Sequence, residues 1–178
     1  MKKLRIVLII VAAVGALAVA TALLMPMIKQ AVEDTLNPEM TITEGDLTMT
    51  VSKDFIKRTS STMLANQWVY TNADITISAV HNDEEFLREN HYELDDIYHF
   101  ANSFVAQHGD EFYSEVYTDR AYPYVEYEEK QGDTFYKVLE VFFEGSNGYY
   151  CVNFICEEHK YYQYQADFFK WADTIVVE

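Results

Sequence analysis

The sequence predicts an α+β domain, in which helices flank an antiparallel β-sheet, preceded by one N-terminal transmembrane helix. Three observations predict this organisation. Residues 6–28 carry no charged side chain, and about 20 apolar residues span the hydrocarbon core of a membrane as a helix. Apolar side chains recur at helical spacing over residues 93–107. Beyond residue 112, segments with strand character follow one another and are joined by glycine-containing turns.

The basic residues before the apolar span predict the topology. Lys2, Lys3 and Arg5 favour retention of the N-terminus in the cytoplasm. We therefore expect residues 1–29 to form a signal anchor that crosses the cell membrane once, with the rest of the chain outside the cytoplasm. The residues that we expect to anchor it are Ile6, Ile10, Leu17 and Leu24.

A cleaved signal peptide is the alternative to a permanent anchor. The tripeptides Ala-Val-Ala at residues 18–20 and Ala-Thr-Ala at residues 20–22 both fit the small-x-small pattern of a cleavage site. The apolar run continues beyond both sites to Ile28, which is longer than the core of a usual signal peptide. Cleavage would make the domain a secreted protein, so both alternatives place it outside the cytoplasm.

The charge is distributed unevenly along the chain. The formal net charge is −16, and 4 of the 13 Lys and Arg residues lie within the first 29 positions. The remaining 9 basic residues stand against all 29 Asp and Glu residues, so residues 30–178 carry a net charge of −20. Such a domain is repelled by nucleic acid, which binds proteins mainly through Lys and Arg. A basic partner, a cation or simple solubility remain as explanations.

The first half of the domain contains three predicted strands. Asn37-Pro38 ends any helical extension of the anchor, and residues 30–46 are predicted to be a linker before a domain that covers residues 47–178. Alternating apolar residues then predict strands, and one helix follows them at residues 93–107. These predicted strands are Leu47–Ser52, Gln67–Tyr70 and Asp74–Val80.

The second half is predicted to be a series of strands followed by a helix. Tight turns at Gln131-Gly132-Asp133 and at residues 145–148 require the strands that they join to be antiparallel. The helix over Tyr161–Asp173 has an apolar stripe that is expected to pack on the sheet. The predicted strands of this half are residues 112–118, 122–129, 134–144 and 149–156.

The layout resembles the PsbP-like superfamily over about residues 45–178. The resemblance lies in the opening strand at Asp46–Phe55, in Ile75–Leu87 leading into the first helix, and in the ending Tyr149–Phe154 followed by Phe168–Ile175. That superfamily includes the extrinsic photosystem II subunit, a nuclear-transport factor that binds Ran, and small bacterial exported proteins. The resemblance implies an α/β/α sandwich with an antiparallel sheet and a binding or assembly role, and it brings no shared catalytic residue.

No motif predicts an active site, a cofactor or a metal. The five histidines include no H-E-x-x-H pair, and no serine lies in a G-x-S-x-G elbow. The six glycines form no phosphate-binding loop. Cys151 and Cys156 are five apart in one predicted strand, so they are expected on opposite faces as buried thiols. A catalytic triad assembled only by the fold stays possible, as does a cation site among the acidic clusters, although none has a calcium-loop pattern.

Tyrosine is the most unusual feature of the composition. Ten of the 14 tyrosines fall between Tyr117 and Tyr164. Tyrosine suits recognition surfaces because it offers a large ring with a polar tip, and a sheet packed on both faces would use the same rings as core. The possible binding surface consists of Tyr122, Tyr124, Tyr149 and Tyr150.

The sequence thus predicts a membrane-anchored extracytoplasmic binding or assembly module that is not an enzyme. The partner is an unidentified protein or small molecule, and no cofactor is expected. An exported hydrolase and a cation-responsive acidic domain are the alternatives.

Overall fold

The computed structural model describes residues 38–60, 63–108 and 115–178. The compact domain within it begins at Met40 and ends at Glu178. The predicted anchor, with Ile6, Ile10, Leu17 and Leu24, lies outside the described residues. Within the described part of the chain, no helix has the length and apolar character needed to cross a membrane.

Nine strands and three helices form the described part of the domain. The strands are β1 (Glu39–Glu44), β2 (Leu47–Ser52), β3 (Ile56–Arg58), β4 (Gln67–Thr71), β5 (Ile75–Asn82), β6 (Tyr124–Gln131), β7 (Thr134–Gly145), β8 (Gly148–Glu157) and β9 (Val176–Val177). The helices are α1 (Glu84–Glu89), α2 (Ile97–His108) and α3 (Tyr161–Ala172), and a 3₁₀ turn at Glu158–Lys160 leads into α3.

The strands form two antiparallel sheets. The larger sheet has six strands in the order β3-β4-β5-β8-β7-β6, and the smaller has the order β1-β2-β9. At the centre of the larger sheet, Phe154 of β8 lies between Ile77 of β5 and Leu139 of β7. The predicted α+β architecture with an antiparallel sheet and flanking helices is therefore confirmed.

Each face of the larger sheet has its own core. On one face, Phe168 and Trp171 of α3 pack with Phe154 and with Met49 of β2. On the other face, Leu87 of α1 and Phe100 of α2 belong to a smaller core. The remaining members of this smaller core are Ala101, Val125, Phe142, Tyr149 and Cys151.

The two cysteines follow this division. Cys151 belongs to the smaller core and Cys156 to the larger one, and both are free, buried thiols. Burial is the main reason that the pKa of each thiol is raised. The prediction that they lie on opposite faces of one strand is confirmed, and neither thiol is in a setting that would favour the reactive thiolate.

Several elements differ from the prediction, and they include the short strands β3 and β9, which the sequence does not predict. Residues 39–44 form β1, although the sequence predicts a linker over residues 30–46. Helix α1 (Glu84–Glu89) was not predicted, because its six residues bury only Leu87 and so show no periodicity. The main helix begins at Ile97 rather than at residue 93, since the Asp96 carboxylate accepts the backbone N–H groups of the first turn.

The predicted strand at residues 112–118 is only partly described. Tyr117 forms an isolated antiparallel bridge with Tyr124 at the start of β6, and residues 109–114 lie outside the described part of the chain. The hairpin joining β7 and β8 is confirmed, with Gly145 paired to Gly148 across the turn. Gly148 has a φ of 114°, in a region that side chains rarely adopt.

Candidate functional site

Three rings from three strands stack at one end of the larger sheet. Trp68 of β4, His81 of β5 and Tyr150 of β8 point to the face that carries the larger core, and we call them the ring stack. The His81 and Tyr150 rings have centroids 4.5 Å apart and an interplanar angle of 24°. The Trp68 and Tyr150 centroids are 6.2 Å apart at 22°. The antiparallel register causes this arrangement, because it places His81 directly opposite Tyr150.

An acidic residue lies at the edge of the ring stack. The Tyr150 hydroxyl donates to Asp46 Oδ1 at 2.6 Å, and the Ser146 hydroxyl donates to Asp46 Oδ2 at 3.0 Å. Asp46 follows β1 in a turn, and Ser146 lies in the β7–β8 turn. Two turns that are 100 residues apart in sequence are thus joined through one carboxylate.

The hydrogen bonds set the ionisation of this edge. The bond from Tyr150 is the main reason that the pKa of Asp46 is lowered, followed by the bond from Ser146. Burial, followed by the bond to Asp46, raises the pKa of Tyr150 to about 12. The edge therefore presents a carboxylate and a neutral phenol over the physiological pH range.

His81 of the ring stack lies near a serine and an aspartate, but the three residues are not connected as in a catalytic triad. In a catalytic triad the histidine bonds the serine and the aspartate orients the histidine. Here Ser146 donates directly to Asp46, and Nε2 of His81 is buried without a hydrogen-bond partner. Ser146, His81 and Asp46 therefore do not form a catalytic triad. The part of the chain that the structure describes also holds no group of three or more His, Cys, Asp or Glu side chains arranged for a metal ion.

All four tyrosines predicted as a binding surface are buried. Tyr122, Tyr124 and Tyr150 belong to the larger core, whereas Tyr149 belongs to the smaller one. Tyr149 stacks on Phe100 with centroids 4.4 Å apart. The structure therefore brings only Tyr150 to the ring stack, and a binding role for the four rings stays a prediction.

Among the described residues, four tyrosines donate hydrogen bonds to carboxylates on other elements. Tyr122 donates to Asp173 at 2.8 Å and Tyr164 donates to Asp74 at 2.8 Å, and Tyr70 bonds Glu44 in the same way. Together with the pair of Tyr150 and Asp46, these bonds link separate elements through charge-assisted hydrogen bonds. The composition revealed the excess of both residue types but not their pairing.

Trp68, His81 and Asp46 are neighbours of Tyr150 that the sequence does not predict. Trp68 was placed in a predicted strand, but His81 follows the predicted end of its strand at Val80, and Asp46 fell in the predicted linker. Their proximity depends on the pairing of β5 with β8, which joins residues about 70 positions apart, such as His81 and Tyr150. The aromatic residues in these two strands are the only feature of the sequence that suggests such a stack.

Replacing Tyr150 with phenylalanine is expected to raise the pKa of Asp46 towards its ordinary value, because the largest contribution to its lowered pKa is lost. An NMR titration of the side-chain carboxyl carbons measures this. Tyr164→Phe is the matched control, since it should raise the pKa of Asp74 and leave Asp46 unchanged. An unchanged Asp46 pKa in Tyr150→Phe would contradict the geometry of this edge.

No protein-family model matches the chain, and no curated protein matches it. Solved structures do match. A protein from Bacteroides thetaiotaomicron is 12% identical with a TM-score of 0.50, over 79% of this chain and 48% of the other, so the chain spans about half the length of that protein.

Two further solved structures are similar to the chain. Cyanobacterial PsbP (CyanoP) from Synechocystis is 12% identical, with a TM-score of 0.48 over 79% of this chain and 92% of the other. The Ran-binding protein Mog1p from Saccharomyces cerevisiae is 10% identical, with a TM-score of 0.49 over 79% and 95%. The PsbP-like resemblance expected from the sequence is thus found again among the matching solved structures, and at these identities it concerns the fold alone.

Proposed function

We propose that this chain is a single-pass, membrane-anchored module whose PsbP-like domain lies outside the cytoplasm and binds a basic protein segment without changing it chemically. The ring stack beside the Asp46 carboxylate is the observation that carries this proposal. It combines aromatic faces with a fixed negative charge at the meeting point of two turns.

The chemistry of the ring stack favours a cationic partner. A Lys or Arg side chain is attracted to the face of an aromatic ring, and tryptophan is the strongest of these rings. Trp68 and His81 are each partly exposed, and Asp46 keeps its charge because its pKa is lowered. The net charge of −20 on residues 30–178 would also speed the encounter with a basic partner.

The anchor is supported by the sequence alone. Lys2, Lys3 and Arg5 precede a charge-free span, and Ile6, Ile10, Leu17 and Leu24 would lie in the hydrocarbon core. Of the tyrosines proposed for binding, Tyr150 would shape the ring stack directly. Tyr122, Tyr124 and Tyr149 would contribute by holding the strands behind it.

One experiment tests both the location and the binding. A membrane-impermeant, lysine-reactive crosslinker is applied to intact cells that carry the full chain, where it can reach the exposed Lys53 only if the domain is outside the cytoplasm. We expect a crosslinked partner with the wild type and its loss with Trp68→Ala or Asp46→Asn. Tyr162→Ala is the control, because Tyr162 is an aromatic residue that is 89% exposed on α3.

The outcomes separate the two parts of the proposal. Labelling only after the cells are permeabilised would contradict the extracytoplasmic location. Labelling without permeabilisation, with the same partner recovered from all variants, would locate binding elsewhere on the domain. Circular dichroism of each purified variant checks that a lost crosslink is not a lost fold.

A further inference from the structure

A carboxyl group lies inside the domain on the face opposite the ring stack. Glu140 of β7 is 2% exposed, and Ser78, at 8%, is the other buried polar or charged residue in the described part of the chain. The cross-strand neighbours of Glu140 are Val125 of β6 and Asn153 of β8. Val125 belongs to the smaller core, which the α1–α2 layer, residues 84–108, completes.

The hydrogen bonds around Glu140 are incomplete for an ionised carboxylate. Tyr127 and Asn153 bond the carboxyl group, but Oε2 of Glu140 and Oδ1 of Asn153 are both buried without a partner. An unpartnered acceptor is costly in a buried setting. A proton on Oε2 of Glu140 turns that acceptor into a donor and removes the charge from the buried group.

The titratable groups that interact with Glu140 among the described residues are two tyrosines and one cysteine, and none is a basic residue. Tyr127 approaches from β6 and Cys151 from β8, and Tyr92, in the connection between α1 and α2, is close enough to be affected electrostatically by Glu140. The charged residues of α1 and the two histidines of α2 are exposed. The exposed groups in question are Glu84, Glu85, Arg88, Glu89, His99 and His108. Ionisation of Glu140 would therefore leave a charge that none of these groups balances.

The α1–α2 layer contacts the sheet next to this carboxyl. Phe142, two residues from Glu140 on the same face of β7, packs against Phe100 and Phe104 of α2 with ring centroids 5.9 and 5.4 Å apart. Tyr92 packs on the same Phe100 at 5.7 Å. Separation of this layer would give water access to Glu140 while the larger core on the other face stays intact.

We propose that the α1–α2 layer is a proton-operated cover, held on the sheet while Glu140 carries its proton and released when that proton is lost to the solvent. The step breaks one O–H bond, gives the proton to water or hydroxide and leaves a hydrated carboxylate. It goes beyond the proposed function, since it involves the opposite face of the sheet and no residue of the ring stack.

The direction of the pH dependence follows from the two ionisation states. Burial raises the pKa of Glu140 from 4.5 to about 8 in the closed form, whereas an exposed carboxyl keeps its ordinary value. The closed form thus holds a proton that the open form releases. The population of the open form should grow about tenfold per pH unit between pH 4.5 and about pH 8, and it should level off above about pH 8.

Amide hydrogen exchange on the full chain in detergent micelles tests this proposal between pH 5.5 and pH 9. After correction for the intrinsic exchange rate, we expect protection in α2 to fall about tenfold per pH unit up to about pH 8. Protection of the α3 amides should fall less steeply with pH, because α3 covers the other face of the sheet. Glu140→Gln, which keeps the shape and adds a permanent donor, should make the α2 profile flat.

Two results would overturn the proposal. An α2 profile in Glu140→Gln that falls as in the wild type would show that another group controls the layer. Equal slopes in α2 and α3 of the wild type would show that the whole domain opens at once. A titration of the Glu140 carboxyl carbon by NMR in the wild-type chain needs no variant, and an ionised Glu140 at pH 7 would also exclude the mechanism.

Discussion

Gly148→Ala is expected to prevent stable folding of the domain. A Cβ atom at this position would lie 2.1 Å from the carbonyl oxygen of Asn82 and 2.9 Å from Cα of Asp83. Both contacts are with backbone, so no side-chain rotation relieves them, and the φ of 114° is itself unfavourable for alanine. We expect a loss above about 4 kcal/mol, which is a large part of the 5–15 kcal/mol that stabilises a typical domain.

Gly132→Ala separates the two causes of that loss. Gly132 has a φ of 62° in the β6–β7 turn, but a Cβ there meets nothing within 4 Å. Gly132→Ala should therefore be destabilised by backbone strain alone, by about 1–2 kcal/mol. Urea unfolding of the full chain, followed by the fluorescence of Trp68 and Trp171, measures both variants. Equal losses in the two variants would show that the contact with β5 is not what requires glycine at position 148.

Phe154→Ala is expected to cost about 3–5 kcal/mol of unfolding free energy, as truncation of a fully buried aromatic residue usually does. Phe154 is completely buried at the centre of β8. Its ring centroid lies 5.6 Å from that of Phe168 and 6.2 Å from that of Trp171. Removing the ring would leave a cavity between the larger sheet and α3 that rigid neighbours cannot close.

The matched control is Phe135→Ala on the neighbouring strand β7. Phe135 is 48% exposed and contacts Lys130 through its ring face, so its truncation should cost well under about 1 kcal/mol. The same urea titration compares the two, and near-ultraviolet circular dichroism should report the changed surroundings of Trp171 in Phe154→Ala alone. A loss below about 1 kcal/mol in Phe154→Ala would contradict the assignment of Phe154 to the centre of the core.

Local patterns were enough to predict the elements that depend on neighbours in sequence. The β7–β8 hairpin follows from its glycine turn, and α3 follows from the apolar stripe that places Phe168 and Trp171 on one side. The start of α2 was misplaced because Glu93 and Asp95 have the composition of a first turn, whereas the cap is Asp96. An acidic run before a helix does not identify which residue accepts the first N–H groups.

Contacts between distant strands could not be predicted in this way. The sequence predicts neither β1 nor β9, because both become strands through their pairing with β2 in the small sheet. The ring stack depends on the register of β5 against β8, which no local signal specifies. The sequence places Tyr149 and Tyr150 on opposite faces of one strand, which fits either a core or a binding surface. Only the helices on both faces show that each ring belongs to a core.

The pairing of β2 with β9 has a consequence for the order in which the domain assembles. Thr50 bonds Thr174 through both its backbone N–H and its carbonyl, across a separation of 124 residues. Such contacts close a large loop and form slowly, because the chain loses conformational entropy before the contact provides any stabilisation. The small sheet should therefore be the last part to consolidate, and until then β2 presents an open edge to any neighbouring extended chain.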